Sequence, residues 1–316
     1  MALAEQADSV LPRFAAIVGP AHVLTAAPDM QPYVTDWRGY YHGRAAAVLR
    51  PGSAEEIAAI LRTANATGAP IVPQGGNTGL VGGQIPHESG DEIVLSLKRL
   101  DRIREVDATS NTMTCEAGVV LQTAQQAAAA ADRLFPLSLG AEGSCTIGGN
   151  LSSNAGGTGA LAYGVARDLV IGLEVVLADG RVWHGLNKLK KDNTGYDLKN
   201  LFVGAEGTLG VITAAVLKLF PRPRSRETAW VGVASPAAAL RLLTMTTQRA
   251  GGSLTGFELL PRRGLEFVLR HAPGSRDTLA QPHAWYVLPE LSSAAAAGLR
   301  PAIEDVLGAA FEAGAV

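Results

Sequence analysis

Three separate glycine-rich segments of this chain carry the residue types that could hold a polar ligand. The first, residues 73–83, reads Pro-Gln-Gly-Gly-Asn-Thr-Gly-Leu-Val-Gly-Gly and follows the apolar run 69–72, which predicts a strand. Glycine has no Cβ, so Gly75, Gly76 and Gly79 would let the backbone turn with φ > 0 and lie close to a ligand. Such a turn points several N–H groups into one concavity, which suits a diphosphate. We therefore predict an anion-binding loop here, with a plain surface turn as the alternative.

The spacing within this segment excludes two common phosphate-binding motifs. No Lys-Ser/Thr pair follows the last glycine, so the segment is not a Walker A loop. The glycines also lack the GxGxxG spacing of the Rossmann dinucleotide-binding fingerprint.

The second and third glycine-rich segments strengthen the case for a ligand. Residues 140–159 contain seven glycines among hydroxyl and amide side chains, and Glu142 is their only charged residue. Residues 203–213 place three more glycines just before an apolar run. Glycine costs backbone entropy, so three such loops beside strands are unfavourable for simple packing. They are expected if one extended ligand passes all three.

The chain resembles the FAD-linked oxidase family, whose flavin domain is shared with vanillyl-alcohol oxidase and p-cresol methylhydroxylase. Within that family it is most similar to the D-2-hydroxyacid dehydrogenase subgroup. The matching segments, in the family's order, are residues 35–39, 47–51, 73–83, 143–157, 167–180, 191–198 and 204–213.

The resemblance implies FAD as the cofactor and a set of residues that contact it. It implies that the first segment holds the diphosphate, that the second runs along the ribityl chain and the isoalloxazine ring, and that the third faces the flavin with backbone groups. The implied cofactor-binding residues are Gln74, Gly75, Gly76, Asn77, Thr78, Gly79, Leu80, Gly143, Ser144, Thr146, Gly149, Asn150, Ser153, Asn154, Gly156, Gly157, Gly207, Val211 and Ile212. Residues 73–83 contain no histidine, so we expect FAD to be bound non-covalently. Cys145 is expected to be a small packing residue.

Periodicity and turn residues predict an α+β fold. Ser53-Ala-Glu-Glu56 forms a capping box and Gly68 a C-terminal stop, which together predict a helix over 53–66. Asp179-Gly180 predicts a hairpin turn, and the prolines 221 and 223 predict a domain boundary. The other elements expected before that boundary are helices at 8–18 and 121–131 and strands at 46–49, 92–97, 103–107, 112–117, 170–177, 181–184 and 211–219.

The region after residue 223 follows a different pattern. We predict strands at 228–234, 254–259 and 284–289 and helices at 236–250, 261–270 and 292–313. This order resembles the ferredoxin-like plan of the family's substrate domain, without its last strand. We therefore expect an N-terminal helical segment at 1–34, an FAD-binding domain at 35–221 and an incomplete substrate domain at 222–316.

Composition predicts a soluble enzyme without nucleic-acid or membrane partners. The 316 residues have a formal net charge of −2, which gives no electrostatic attraction to polyanions. No secretory signal or run of 18 apolar residues is evident, and the two cysteines, Cys115 and Cys145, have no metal or disulfide pattern. Free thiols suit a reducing compartment, so we expect a cytoplasmic location.

Two functions remain open from the sequence. The resemblance implies an FAD-dependent dehydrogenase that oxidises a D-2-hydroxyacid such as D-lactate, glycolate or D-2-hydroxyglutarate. Its electrons would pass to an acceptor other than NAD, such as a flavoprotein, a quinone or a cytochrome. The alternative is a flavin-binding module without turnover, because the family's metal segment of the type Gly-His-x-Gly-Asp-Gly-Asn-x-His does not occur. The six histidines are scattered singly, so we expect no metal site and assign no catalytic residue. A weaker option is a relative that acts on an alcohol or a nucleotide sugar.

Overall fold

The computed structural model describes residues 2–316 and the side chains from Val10 onward. The chain forms two compact units. The first contains the residues up to Ala155 together with Val165–Phe220, and the second contains Gly156–Gly164 and Pro221–Val316.

The helices are mostly short, apart from four of 14 to 17 residues. They are α1 Ala2–Val18, α2 Ala27–Val34, α3 Ala54–Thr67, α4 Leu121–Ala130, α5 Ile147–Ser152, α6 Ala160–Tyr163, α7 Ala166–Leu169, α8 Lys199–Phe202, α9 Pro236–Ala250, α10 Arg262–His271 and α11 Leu299–Glu312. Short 3₁₀ turns lie at Pro20–His22 and Gly251–Ser253. No helix within residues 2–316 has the length and apolar composition needed to cross a bilayer.

The strands are distributed over both units. They are β1 Val23–Leu24, β2 Ala47–Leu49, β3 Ile71–Gln74, β4 Ile93–Ser96, β5 Ile103–Asp107, β6 Thr112–Glu116, β7 Arg133–Leu134, β8 Val170–Val176, β9 Val182–Gly185, β10 Val211–Lys218, β11 Phe220–Pro221, β12 Ser225–Thr228, β13 Val231–Val233, β14 Leu254–Pro261 and β15 Trp285–Ser293.

The first unit contains two sheets. One has the order β1-β2-β4-β3, in which β2, β4 and β3 run parallel. The other is antiparallel, with the order β5-β6-β10-β8-β9. Strands β2, β4, β6 and β8 are buried along their whole length, although β6 and β8 carry the glutamates Glu116 and Glu174.

Helix α3 contributes to the core of the first unit in the way its sequence predicts. Ser53 caps the N-terminus by accepting a hydrogen bond from the Glu56 amide, and the Glu56 carboxylate accepts one from the Gly52 amide. Gly68 ends the helix with φ 71°, a conformation that glycine adopts at little cost. Arg62 donates to the carbonyl of Gly180 in the β8–β9 turn, which ties the helix to the five-stranded sheet.

The second unit is built around β15. Strands β12 and β13 pair with one edge of β15 and β14 pairs with the other, all antiparallel. Apolar residues of α9, α11 and the sheet form its core, in particular Val231, Val233, Leu242, Val287 and Val306. The segment Gly156–Gly164, which contains α6, belongs to this unit and lies beside β14.

Two predicted elements differ from those observed, each for an identifiable reason. The strand predicted at 228–234 is divided into β12 and β13, since Pro289 on the facing strand has no N–H to continue the ladder. The helix predicted at 292–313 begins only at Leu299, because residues up to Ser293 extend β15 to pair with β12. Helix α2 lies within the N-terminal helical segment expected at 1–34, although it was not predicted as a separate helix. Its Pro28 lies in the first turn, where an amide hydrogen bond is not needed. The mixture of helices and sheets agrees with the predicted class.

Candidate functional site

The first glycine-rich segment leaves the end of β3 and packs directly against the second. A Cβ built on Gly76 would lie 2.2 Å from the carbonyl oxygen of Ser144 and 2.9 Å from the Cα of Cys145. One built on Gly75 would lie 2.5 Å from the hydroxyl oxygen of Thr146. Position 76 therefore requires glycine because two stretches of backbone are in contact, and position 75 because the Thr146 side chain occupies the space that a Cβ would need.

The backbone φ angles of these glycines differ from the prediction. Gly75, Gly76 and Gly79 were expected to adopt positive φ, but in residues 73–83 only Asn77 (φ 59°) and Gly82 (φ 80°) do so. The prediction of φ was wrong because the left-handed turn is made by asparagine, a residue whose side chain stabilises that conformation locally. The missing Cβ at Gly76 serves close packing.

Side chains of the first segment fix its shape. The Asn77 amide donates to the carbonyls of Pro32 and Thr35 and accepts from the Gln84 side chain. The buried Gln74 donates to the carbonyls of Tyr33 and Gln84. The side-chain donors of Asn77 and Gln74 are thus used within the protein, so these two residues shape the loop.

The third segment completes the cluster by contacting both of the others. The amides of Gly204 and Glu206 donate to the carbonyls of Leu151 and Ser152 at the end of α5. Gly207 has φ +80°, and a Cβ on it would lie 3.2 Å from the side chain of Pro73 at the start of the first segment. The three segments therefore converge within the first unit, as the sequence predicted.

The cluster offers hydrogen-bonding groups that the protein does not use itself. Within residues 2–316, none of the backbone N–H groups of residues 75–80 donates a hydrogen bond to another protein group. The buried Oε1 of Gln74 and Oγ1 of Thr146 also lack a protein partner. Residues 73–83 contain no carboxylate that would repel an anion. Free donors on a fixed backbone, with buried polar atoms behind them, fit a phosphorylated ligand such as a dinucleotide.

The structure groups some of the residues expected to bind the cofactor and separates others. Residues 74–80 and those from Gly143 to Asn154 line the contacting first and second segments, and Gly207 lies in the third. The side chains of Val211 and Ile212 are buried in β10, so only their backbone could reach a ligand. Gly156 and Gly157 belong to the second unit.

Several residues that shape the site were missed from the sequence. Gln84 holds Asn77 and Gln74, and a Cβ on Gly79 would clash with its side chain at 2.7 Å. A Cβ on Gly148 would lie 2.6 Å from that of Ala117, so α5 approaches the exit of β6 closely. The sequence shows only a glutamine and an alanine near glycine-rich segments. Nothing in their type or spacing marks them as residues that shape a site.

The two thiols are buried. Burial raises the pKa of Cys115 to about 12 and also raises the pKa of Cys145. Both are free and neutral at physiological pH, which makes them poor nucleophiles. Within residues 2–316 no group of three or more His, Cys, Asp or Glu side chains is arranged to hold a metal ion.

Comparison with known families identifies the first unit. Residues 45–185 match the family described as FAD binding domain, and this range includes all of the first and second segments and every strand of the five-stranded sheet except β10.

Curated relatives extend the similarity over nearly the whole chain. It is 38% identical to the mitochondrial D-2-hydroxyglutarate dehydrogenase of Rattus norvegicus over 297 residues, covering 94% of this chain and 55% of that protein. It is 35% identical to the mitochondrial D-2-hydroxyglutarate dehydrogenase of Arabidopsis thaliana, covering 96% of this chain and 54% of that protein. The chain thus spans about half the length of these relatives.

Solved structures with low sequence identity share the fold. The p-cresol methylhydroxylase structure with bound substrate superposes with a TM-score of 0.77 at 18% identity and covers 98% of this chain and 64% of that one. Alkyldihydroxyacetonephosphate synthase gives the same TM-score at 16% identity, covering 96% and 60%.

The relatives overturn one expectation and confirm the family. The names of the two enzymes above place them in mitochondria, so the expected cytoplasmic location is contradicted. Two free thiols could not have settled this, because they do not distinguish one reducing compartment from another. The chain carries an FAD-binding domain, with FAD as its cofactor, and belongs to the FAD-linked oxidases related to D-2-hydroxyglutarate dehydrogenases.

Proposed function

We propose that this chain belongs to an FAD-dependent dehydrogenase that oxidises a D-2-hydroxyacid of the D-2-hydroxyglutarate, D-lactate or glycolate type. The observation that carries the proposal is the convergence of three glycine-rich segments in a chain 38% identical to a D-2-hydroxyglutarate dehydrogenase. FAD, when bound, would supply a hydride acceptor at its N5 atom.

In this proposal FAD is held non-covalently by the residues named from the resemblance, with residues 74–80 at the diphosphate. The free N–H groups of residues 75–80 would donate to the diphosphate oxygens. Hydrogen bonds to a charged group contribute about 1.5–3 kcal/mol each, so a few of them offset much of the cost of desolvating the diphosphate. Asn77 and Gln74 would keep the loop in its binding shape.

We further propose the domain division 1–34, 35–221 and 222–316, with the last part an incomplete ferredoxin-like substrate domain. Its support is the strand order of the second unit, in which β15 lies between β13 and β14 and runs antiparallel to both. Two strands joined by a helix, with the third strand inserted between them, are what a split β-α-β plan requires.

A second candidate is a flavin-binding module that does not turn over a hydroxyacid alone. It is favoured by the arrangement of the described histidines, since none belongs to a metal-binding group. The electron acceptor in the first proposal is a flavoprotein, quinone or cytochrome partner.

Anaerobic reduction of the flavin distinguishes the two candidates. The purified protein, loaded with FAD, is mixed with D-2-hydroxyglutarate, D-lactate, glycolate, an aliphatic alcohol and a nucleotide sugar in turn, and the visible flavin absorbance is followed. Bleaching by a D-2-hydroxyacid supports the dehydrogenase. Bleaching by dithionite alone supports the module, and bleaching by the alcohol or the nucleotide sugar overturns the proposed substrate class.

A further inference from the structure

A row of polar side chains crosses the five-stranded sheet of the first unit, with one member on each strand. In spatial order the members are Arg104 on β5, Glu116 on β6, Thr213 on β10, Glu174 on β8 and His184 on β9. We call this set the polar row.

The members of the polar row contact one another. Arg104 bridges the two carboxylates, with Nε 3.3 Å from Glu116 Oε1 and Nη2 3.2 Å from Glu174 Oε1. The Thr213 hydroxyl lies 2.8 Å from the same Glu174 oxygen and donates to it. His184 Nδ1 lies 3.6 Å from the second Glu174 oxygen. Glu174 therefore has a contact with three of the other four members.

Two β-bulges bring members of the polar row onto this line. The register between β5 and β6 shifts at Arg104, and the register between β10 and β8 shifts at Thr213. A bulge leaves one residue unpaired and turns its side chain, at some cost to the ladder. Both defects place a side chain against the carboxylate of Glu174, which indicates that the sheet is adapted to the polar row.

Stability alone does not explain the polar row. The side chains of Glu116 and Glu174 are only 2% and 9% exposed, so both carboxylates are largely desolvated. Buried ion pairs often contribute no more than apolar residues of the same size, because desolvation offsets the attraction. A different role for the arrangement is therefore expected.

The polar row lies where the glycine-rich segments are attached to the sheet. Beyond Glu116, the carbonyls of Ala117 and Val119 accept the amides of Gly148 and Ile147 in the second segment. Thr213 is the last residue of the third segment, and its carbonyl accepts the Ala117 amide. One hydrogen-bonded path thus joins the Thr213 and Glu116 strands to the start of α5.

We propose that Thr213, Glu174, Glu116 and Arg104 are positioning residues for the cofactor. They lock the ends of β6 and β10 so that the second and third segments keep the spacing that FAD requires. The inference rests on the proposed placement of FAD on these segments, and it is independent of which substrate is oxidised.

Isosteric substitution at Thr213 provides the sharpest test. Thr213 is fully buried, and its hydroxyl donates within the polar row, so Thr213→Val removes that donor with little change in volume. Thr213→Ser keeps the hydroxyl. The dissociation constant for FAD is measured by titrating each apoprotein, with circular dichroism confirming that it is folded and thermal melting giving its Tm.

We expect Thr213→Val to raise the dissociation constant by about tenfold, which corresponds to about 1.4 kcal/mol. Thr213→Ser should return it to near the wild-type value, with a wild-type flavin absorption band. If Val and Ser bind FAD equally well, or if Val lowers the Tm without weakening binding, the positioning role is wrong. A wild-type protein that takes up no FAD would overturn the proposed function instead.

Glu174→Gln offers a second test, with Glu105→Gln as its matched control. Glu105 is an exposed carboxylate on the same sheet that pairs with Lys188. We expect Glu174→Gln to weaken FAD binding and to increase hydrogen exchange at residues 143–150 and 204–211, whereas Glu105→Gln leaves both unchanged. Equal effects of the two variants would contradict the proposal.

Discussion

Gly75 and Gly76 of the first unit and Gly252 and Gly274 of the second unit occupy opposite environments. A Cβ on Gly75 or Gly76 would meet the neighbouring segment at 2.5 or 2.2 Å, too short for any real contact. A Cβ on Gly252 or Gly274, in the second unit, would have no heavy atom within 4 Å. The sequence shows the same residue type in both places, but of these four positions only Gly76 uses the missing side chain to bring two backbones together.

This difference indicates which glycine-rich segments carry function. Gly is favoured in exposed turns for its backbone freedom alone, and such turns tolerate substitution. Where the missing Cβ makes room for another segment, a substituted side chain must push the two segments apart. It must then also disturb the binding of any ligand that the two segments hold together.

Gly76→Ala should therefore have the largest effect of the changes considered. Its methyl group would be forced against the backbone of Ser144 and Cys145, which cannot rotate away as a side chain could. Overpacking of this kind costs about 1–3 kcal/mol, and we expect the upper end of that range in a urea denaturation. The ratio of flavin to protein absorbance should fall to near zero in the purified variant.

Gly83→Ala is the matched control within the same segment. A Cβ there would make an ordinary contact of 3.5 Å with the Glu206 side chain, without positive φ. It should keep wild-type flavin content. If both variants bind FAD normally, the contact between the first and second segments is not needed for the cofactor.

Asn77 allows backbone conformation and hydrogen bonding to be separated. Asn77→Ala removes the amide that bonds Pro32, Thr35 and Gln84 and leaves alanine at φ 59°, so we expect a loss of about 2 kcal/mol in the free energy of unfolding. Asn77→Gly removes the same bonds but relieves the φ strain, which costs an L-residue about 1–2 kcal/mol. The glycine variant should be the more stable by urea denaturation. If the alanine variant equals it, φ strain at this position is negligible.

The two units can also be compared by their charged groups, because each contains a carboxylate with a lowered pKa. Burial would raise the pKa of Glu116, but hydrogen bonds and charge from Arg102 and Arg104 outweigh it and hold the pKa below its usual value. Asp277 has a lowered pKa chiefly because Arg262 donates to it. A group whose folded pKa is depressed adds stability above its unfolded pKa, and that stability is lost as the pH falls through the folded pKa.

We therefore expect wild-type stability to decline as the pH falls below about 4.5, the ordinary value for Glu, and Glu116→Gln to flatten that decline. Urea denaturation at a series of pH values measures both slopes. Asp277→Asn should flatten the curve less, since an ion pair near the surface is screened by solvent. A steeper or unchanged slope in Glu116→Gln would show that this carboxylate does not contribute to the acid transition.

The sequence predicted the convergence of the three segments but not how it is achieved. Glycine content, the preceding strand and the family resemblance were enough to place residues 74–80 and 143–154 beside one another. They could not show that Gly76 faces Ser144 instead of a ligand, because glycine has no side chain whose direction could be inferred. Asn77 and Gln74 were expected at the cofactor, whereas their amide donors satisfy carbonyls of a segment about 40 residues away in the chain.

Element positions were predictable where a local signal marks the end, and less so where a partner decides it. The Ser53 cap and Gly68 located α3 to within one residue, since each acts through its own backbone. The end of β15 depends on pairing with β12, more than 50 residues earlier in the chain, and no local signal reports it. The bulges at Arg104 and Thr213 could not be predicted either, because each depends on how its strand pairs with another strand.

The smallest expected effect is a slight gain in stability at Gly252, which is opposite in sign to the loss expected at Gly76. Gly252 lies in the 3₁₀ turn Gly251–Ser253 without positive φ and with open space where its Cβ would be, so Gly252→Ala introduces neither strain nor a clash. Alanine also restricts the unfolded chain more than glycine does, which stabilises a protein by about 0.4–1 kcal/mol at a compatible site. The same substitution should destabilise at Gly76 and slightly stabilise at Gly252, as measured by thermal melting of the two variants in parallel. At the adjacent Gly251, with φ +55°, alanine should lose that benefit, because the left-handed conformation costs an L-residue more than the gained entropy returns.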